Sequence, residues 1–438
     1  MLDQGLGLHE RESETPLIVG GRPCAAISPS QRGGQAAPEI ILDLSRLLSR
    51  IRFSAPTGVD RVEMAYAQQL SRLAPDRLSF AAVHPSGVYG RLSVPVVSAF
   101  LEETAHVWVG AEVGASSAKW AVSRVATLIK LLPKLTPEPI PERLRPRVYL
   151  QVSPHHLDKP GRIRRILARE RAKFVCLVHD LIPIEYPEHA RPNGRDVHAQ
   201  RMETVSRFAD AVIAASQSTR QSLLDFLGRQ GRSIEVCVAP LGAEPASLPP
   251  ATHVSGAPYF VSVGTIEPRK NHLLLLNLWR RMVEDMGPRA TPRLVLIGRR
   301  GWENENIVDM LDRCPPLMGV VDERGHLSDT KMWSLIRGAR ALLMPSFAEG
   351  FGLPVIEALK LGVPVICSDI AAHREIAAPV AEFLDPLDGP GWRRAIVDYT
   401  SLTSSRRTDQ LRRMAMWRAP TWESHVRAAV GLVDEVAR

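Results

Sequence analysis

Short apolar runs recur along the chain from residue 40 onward, and stretches whose apolar positions return every three or four residues separate them. One series of such runs falls at 40–44, 78–83, 148–152, 174–178, 211–215 and 235–239. A second begins at 259–263 and recurs near Leu294, Gly319, Ala341, Val363 and Ala381. Runs of this length that alternate with helical patterns predict doubly wound parallel sheets covered by helices on both faces. A stretch at 242–256, rich in proline, alanine and small residues, separates the two series and reads as a domain boundary. The pattern therefore predicts two Rossmann-like domains, 39–243 and 257–418, with a binding cleft between their sheets. Residues 1–38 lack sustained periodicity and read as a flexible tail. After Pro420 and Thr421 a last helical pattern covers the rest of 419–438.

Two strand-to-helix junctions of the second domain carry candidate chemistry. The apolar run 341–344 is closed by Pro345 and Ser346, and then comes Glu349-Gly350-Phe351-Gly352-Leu353-Pro354-Val355-Ile356-Glu357. Gly350 and Gly352 let the backbone approach a ligand closely, and Pro354 suits the first turn of a helix. Free amides at that helix start would attract a phosphate. Glu357, one turn in, leans back toward the N-terminus, so both carboxylates can face one ligand. An arbitrary pair of acids is more often a loop glutamate and a helix-surface glutamate in solvent; the glycines, the proline and the preceding strand argue for a site. Upstream, the run 259–263 leads through Gly264 and Thr265 to Arg269 and Lys270 and into a helical pattern at 273–282. Two cations at a helix start are electrostatically misplaced unless an anion faces them, and a departing diphosphate is such an anion. Amides for a diphosphate and carboxylates for hydroxyls together suit a nucleoside diphosphate sugar.

On these segments the chain resembles the retaining GT-B glycosyltransferases of the glycosyl transferases group 1 family. The matching pieces are the 263–271 turn, Leu296-Ile-Gly298, Gly325-His-Leu-Ser-Asp329, the 349–357 box and 362–368. In the first domain, Pro56-Thr-Gly-Val-Asp-Arg-Val62, His179-Asp-Leu-Ile-Pro183 and Ser216-Gln-Ser-Thr219 are similar to a branch of bacterial mannosyltransferase-like members. The resemblance implies an α/β GT-B fold with parallel sheets facing a central cleft and a C-terminal helix crossing back to the first domain. It implies that Glu349 contacts the donor sugar and Glu357 the ribose. Amides of Gly350, Phe351, Gly352 and Leu353 would hold the diphosphate and sugar, Arg269 and Lys270 would neutralise it, and Gly264 and Thr265 belong to the same donor loop. Leu327 would frame the base, His179 and Asp180 would line the sugar and acceptor pocket, and Gly58 would bring a helix start close to the diphosphate. The implied reaction is hexose transfer with retention, mannose first, to a hydroxyl of a glycan or lipid-linked glycan in surface polysaccharide synthesis. Neither a metal nor another cofactor is expected. A nucleotide-sugar epimerase of the same fold and a non-catalytic binding component of a polysaccharide assembly complex are the rival readings.

Composition narrows the partners. The 438 residues carry a formal charge of +8, with a pI near 9.5. Only 5% are aromatic and no nucleic-acid-binding motif accompanies the charge, so nucleic acid is not an expected partner. An anionic membrane surface fits better. Lys119, Lys130 and Lys134 share a helical stripe within 116–134, although an ordinary domain helix explains that pattern as well. No apolar run is long enough to span a bilayer, and charges from Glu10 to Glu14 interrupt any signal-peptide core. The expected place is the cytoplasm, at most against the inner membrane face. Five cysteines without C-x-x-C spacing read as small core residues with no disulfide framework. The adjacent His155 and His156 lack the acids that would complete a metal site.

Overall fold

The structure, a computed structural model, describes residues 37–438 apart from 52, 54, 85, 111–129, 131, 143, 245–248, 253–257 and 326. Most of the 1–38 tail and of the 116–134 stripe thus lies outside the described residues. The N-terminal lobe holds β1 (Glu39–Asp43), β2 (Leu78–Val83), β3 (Tyr89–Leu92), β4 (Arg147–Gln151), β5 (Lys173–Val178), β6 (Ala211–Ala214) and β7 (Glu235–Val238), ordered β3-β2-β1-β4-β5-β6-β7. The C-terminal lobe holds β8 (Tyr259–Val263), β9 (Arg293–Ile297), β10 (Val321–Arg324), β11 (Leu342–Met344), β12 (Val365–Ser368) and β13 (Glu382–Leu384), ordered β10-β9-β8-β11-β12-β13. All pairings are parallel except β2 with β3. In each lobe the strand order reverses beside the first strand, which places a crevice at the carboxyl ends of the strands. The two crevices face each other.

β3 has no counterpart in the sequence reading, for a physical reason. Its Tyr-Gly-Arg-Leu is too short and mixed to read as an apolar run, because beside the buried Tyr89 and Leu92 it buries the charge of Arg91. Arg91 donates to Glu170 Oε2 and to Glu39 Oε1, both at 2.9 Å, inside the sheet. Gly90 is required there, since a Cβ would press on the carbonyl of Glu138 and the ring of Pro137. Cys176 and Cys367 are buried in β5 and β12 as small core residues.

The last helix, Trp422–Val436, packs on the N-terminal lobe. Val426, Ala429, Leu432 and Val433 enter the core formed by one face of that lobe's sheet and the helix Gly58–Leu73. His425 Nδ1 donates to the carbonyl of Ala239 at 2.9 Å, and Arg77 pairs with Asp434. The chain therefore crosses between lobes twice, and the crossings touch. Ala243 N donates to Pro420 O at 3.1 Å, and Gly242 lies so close to Trp422 that a Cβ would overlap its backbone nitrogen.

Candidate functional site

Between the lobes lies a cleft of about 1020 Å³. Every expected site residue lines it: Gly58, His179 and Asp180 from one lobe; Gly264, Thr265, Arg269, Lys270, Leu327, Glu349 to Leu353 and Glu357 from the other. The basic turn and the acidic box, about eighty residues apart in sequence, touch. Arg269 and Lys270 sit in a 3-10 turn, Pro268–Lys270, and Asn271 takes a left-handed conformation before the helix His272–Met286 begins. Arg269 Nη1 donates to Glu349 Oε2 at 2.7 Å and Lys270 Nζ to Glu349 Oε1 at 2.6 Å. Ser346 Oγ donates to the same Oε1 at 2.7 Å, and Phe347 N to the carbonyl of Arg269 at 2.9 Å.

The sequence predicts a bare cationic pair at this turn. The structure corrects that picture, because Glu267, in the same turn, accepts from Arg269 Nη2 at 2.7 Å. Two carboxylates and two cations leave the cluster with no formal net charge. Burial alone would raise the Glu349 carboxyl, but Arg269 and Lys270 overcome it and hold the group far below the ordinary carboxylate range. Burial presses the Lys270 ammonium down against the pull of Glu349. Such a cluster positions its charges rigidly, and an incoming anion would find cations whose partners already fix them.

Glu357 has the opposite environment. Only 4% exposed in the first turns of the helix Leu353–Lys360, its carboxylate makes no hydrogen bond among the described residues. Burial lifts its pKa from 4.5 to about 7, with Arg61 opposing and Asp329 reinforcing the rise. A buried acceptor without donors is costly unless a ligand supplies them. Nearby, Arg61 Nη1 and Nη2 bind both oxygens of Asp329 at 2.6 and 2.5 Å. This bidentate pair spans the cleft between the lobes and escapes sequence reasoning. The only signals were the position of Arg61 one turn after Gly58 and that of Asp329 at a helix start.

The box closes on the N-terminal lobe. A Cβ on Gly350 would overlap the carbonyl of His179, and Ser216 Oγ donates to the carbonyl of Gly350 at 2.6 Å. Gly352, with φ of +105°, opens the helix from a left-handed conformation, and a Cβ there would crowd Ile376 and His373. Gly58 lies where a Cβ would just touch Leu353, so the two helix starts meet. His179 Nε2 lies 2.9 Å from the carbonyl of Val152. That carbonyl can only accept, so Nε2 carries the proton and Nδ1 keeps its lone pair. Burial lowers the His179 pKa and keeps the ring neutral. Asp180 is set by Ile182 N, which donates to its Oδ1 at 3.1 Å, and by His198, which donates to its carbonyl at 3.0 Å.

Two doubly wound lobes facing one cleft, with a helix returning from the second to the first, define the GT-B architecture. Residues 247–382, most of the C-terminal lobe, match the family described as Glycosyl transferases group 1. It is 32% identical over 166 residues to O-antigen chain mannosyltransferase B of Escherichia coli, covering 38% of this chain and 43% of that one. It is 29% identical over 231 residues to the serotype-specific mannosyltransferase WbdA of Escherichia coli, covering 48% of this chain and 28% of the relative. The matched stretches thus span less than half the length of these relatives. In fold the chain is similar to sucrose-phosphate synthase from Thermosynechococcus elongatus, with a TM-score of 0.57 at 15% identity over 90% of this chain and 96% of that one. It is also similar to Anabaena HepE in complex with UDP and glucose, with a TM-score of 0.56 at 16% identity over 91% and 97%.

Proposed function

We propose that this chain is a retaining hexosyltransferase that moves mannose from a nucleoside diphosphate sugar to a hydroxyl of a glycan or lipid-linked glycan in surface polysaccharide synthesis. The observation that carries this reading is the meeting of the 264–270 turn and the 349–357 box, through Glu349, on one interlobe cleft. Mannosyltransferase relatives favour mannose as the sugar and a transferase over an epimerase or a non-catalytic component. GDP-mannose is the donor of first choice.

In this mechanism the ribose hydroxyls donate to the Glu357 carboxylate, and Leu327 frames the base. Amides of Gly350 to Leu353 hold the diphosphate and sugar at the helix start. The acceptor hydroxyl attacks from the face the leaving group departs, and a donor phosphate oxygen takes its proton. Arg269 and Lys270 stabilise charge as it grows on the diphosphate, while Glu349 fixes both cations and meets sugar hydroxyls. His179 and Asp180 line the sugar and acceptor side. No metal or other cofactor enters the scheme. Among the described residues no helix is long and apolar enough to cross a membrane. The enzyme would work in the cytoplasm, with peripheral contact at the inner membrane face bringing it to a lipid-linked acceptor.

A thermal-shift panel of nucleoside diphosphate sugars tests the reading, since a ligand bound only by the native state raises its melting temperature. GDP-mannose should give the largest shift. Lys270→Ala and Glu349→Ala should each lower turnover by orders of magnitude, on the order of 3–4 kcal/mol of transition-state stabilisation, with the fold retained. Wild-type turnover in both variants would refute the assignment.

A further inference from the structure

The wall that the N-terminal lobe contributes to the cleft holds a guanidinium that has no hydrogen-bond or ion-pair partner among the described residues. The helix Gly194–Phe208 turns Gly194, Val197, His198 and Arg201 to the cleft, spacings of three and four that put them on one stripe. Arg46, in the short helix after β1, lines the same wall. Among the described residues Arg201 makes no hydrogen bond and no ion pair, and its Nε is buried. Arg46 binds Asp60 Oδ1 at 2.6 Å and Thr57 Oγ1 at 3.0 Å. Asp60 is shared with Arg50 at 2.7 Å, so that trio keeps a formal charge of +1. Two neighbouring groups of the wall have partners: His198 donates to the carbonyl of Asp180, and Asp180 Oδ1 accepts from the amide of Ile182.

Burial, together with Arg46, lowers the Arg201 pKa, while Asp158 pulls the other way from beyond ion-pair reach. His155 feels both arginines, and burial with them pushes its pKa to about 4, so it adds no charge at neutral pH. The wall is thus cationic, partly dehydrated and unsatisfied. An unsatisfied buried donor costs free energy that a bound oxyanion returns. A planar carboxylate is met in full by one guanidinium gripping both its oxygens. Two guanidiniums arriving from different elements suit a tetrahedral group with three free oxygens.

We propose that Arg201 and Arg46 form an acceptor subsite for a phosphate group, so that the glycan acceptor carries a phosphate mono- or diester on this side of the cleft. The inference rests on the glycosyltransferase reading, and its test separates the two. The full chain is first saturated with GDP or UDP, which fills the other anion site, and is then titrated with inorganic phosphate by calorimetry. Wild type should bind phosphate, Arg201→Gln at least about tenfold more weakly, and Arg201→Lys in between. With GDP-mannose as donor, octyl mannoside 6-phosphate should exceed octyl mannoside in kcat/KM by about tenfold, and Arg201→Gln should erase that preference. Equal phosphate affinity in wild type and Arg201→Gln, or no binding in wild type while the nucleotide still binds, overturns the subsite. So does a preference for an octyl uronide over the phosphate. Failure of both nucleotides to bind overturns the glycosyltransferase reading instead.

Discussion

At the scale of single residues, the two glutamates of the box have been driven in opposite directions by what surrounds them. Glu349 is ionised throughout the physiological range because two cations grip it, whereas burial lifts the Glu357 pKa to about 7 with no hydrogen-bond donor to it among the described residues. A ribose hydroxyl donates best to the ionised form of Glu357. Donor affinity should therefore fall about tenfold between pH 8 and pH 6, and Glu357→Gln should bind weakly with no such pH dependence; calorimetry across that range decides. Glu63 gives a parallel prediction for stability. Its folded pKa is raised from 4.5 to about 8 by burial and by Asp43, so the native state holds more protons than the unfolded state between those values. Stability must then fall as pH rises from 4.5 through 8. Urea titrations at pH 5, 7 and 9 should show this loss in wild type and a flatter profile in Glu63→Gln. The carboxylates of the box and the two cations were legible in the sequence because each sits at a turn after a strand. Glu267 as their counter-charge, the Arg61–Asp329 pair and the bare Arg201 were not, since pairing across such separations depends on how the lobes meet.

At the scale of elements, apolar runs located the strands of both sheets to within a residue or two at most ends. Parallel strands buried on both faces announce themselves in composition. β3 was invisible because Gly90 and Arg91, the latter buried against Glu39 and Glu170, interrupt its two apolar residues and leave no apolar run. The glycines of the box read correctly as points of close approach, but what they approach is the other lobe as well as any ligand. Gly350→Ala would drive a methyl group into the carbonyl of His179 and force the lobes apart there. We expect this variant to keep its melting temperature within a few degrees and to lose most of its turnover. Small-angle scattering should report a larger radius of gyration than wild type. A wild-type radius with full activity would mean that the contact is dispensable.

For the whole molecule, the final helix belongs to the first lobe's core although it follows the second in sequence. Removing residues from 422 onward would uncover the apolar surface that Val426, Leu432 and Val433 now cover, each worth roughly 1.5–3 kcal/mol when fully buried. A chain ending at Thr421 should melt well below the full chain or aggregate, with the loss centred on the N-terminal lobe by hydrogen exchange. The sequence suggested this crossing through resemblance alone, because a helix pattern does not say which core will take it. The crossing at 415–422 runs beside the one at 241–243, and the two are bonded to each other. Because these two crossings are bonded to each other, we expect any opening of the cleft to swing about the line they share. A substrate admitted by such a swing meets the widest opening at the edge remote from that line, so large branched acceptors should enter there.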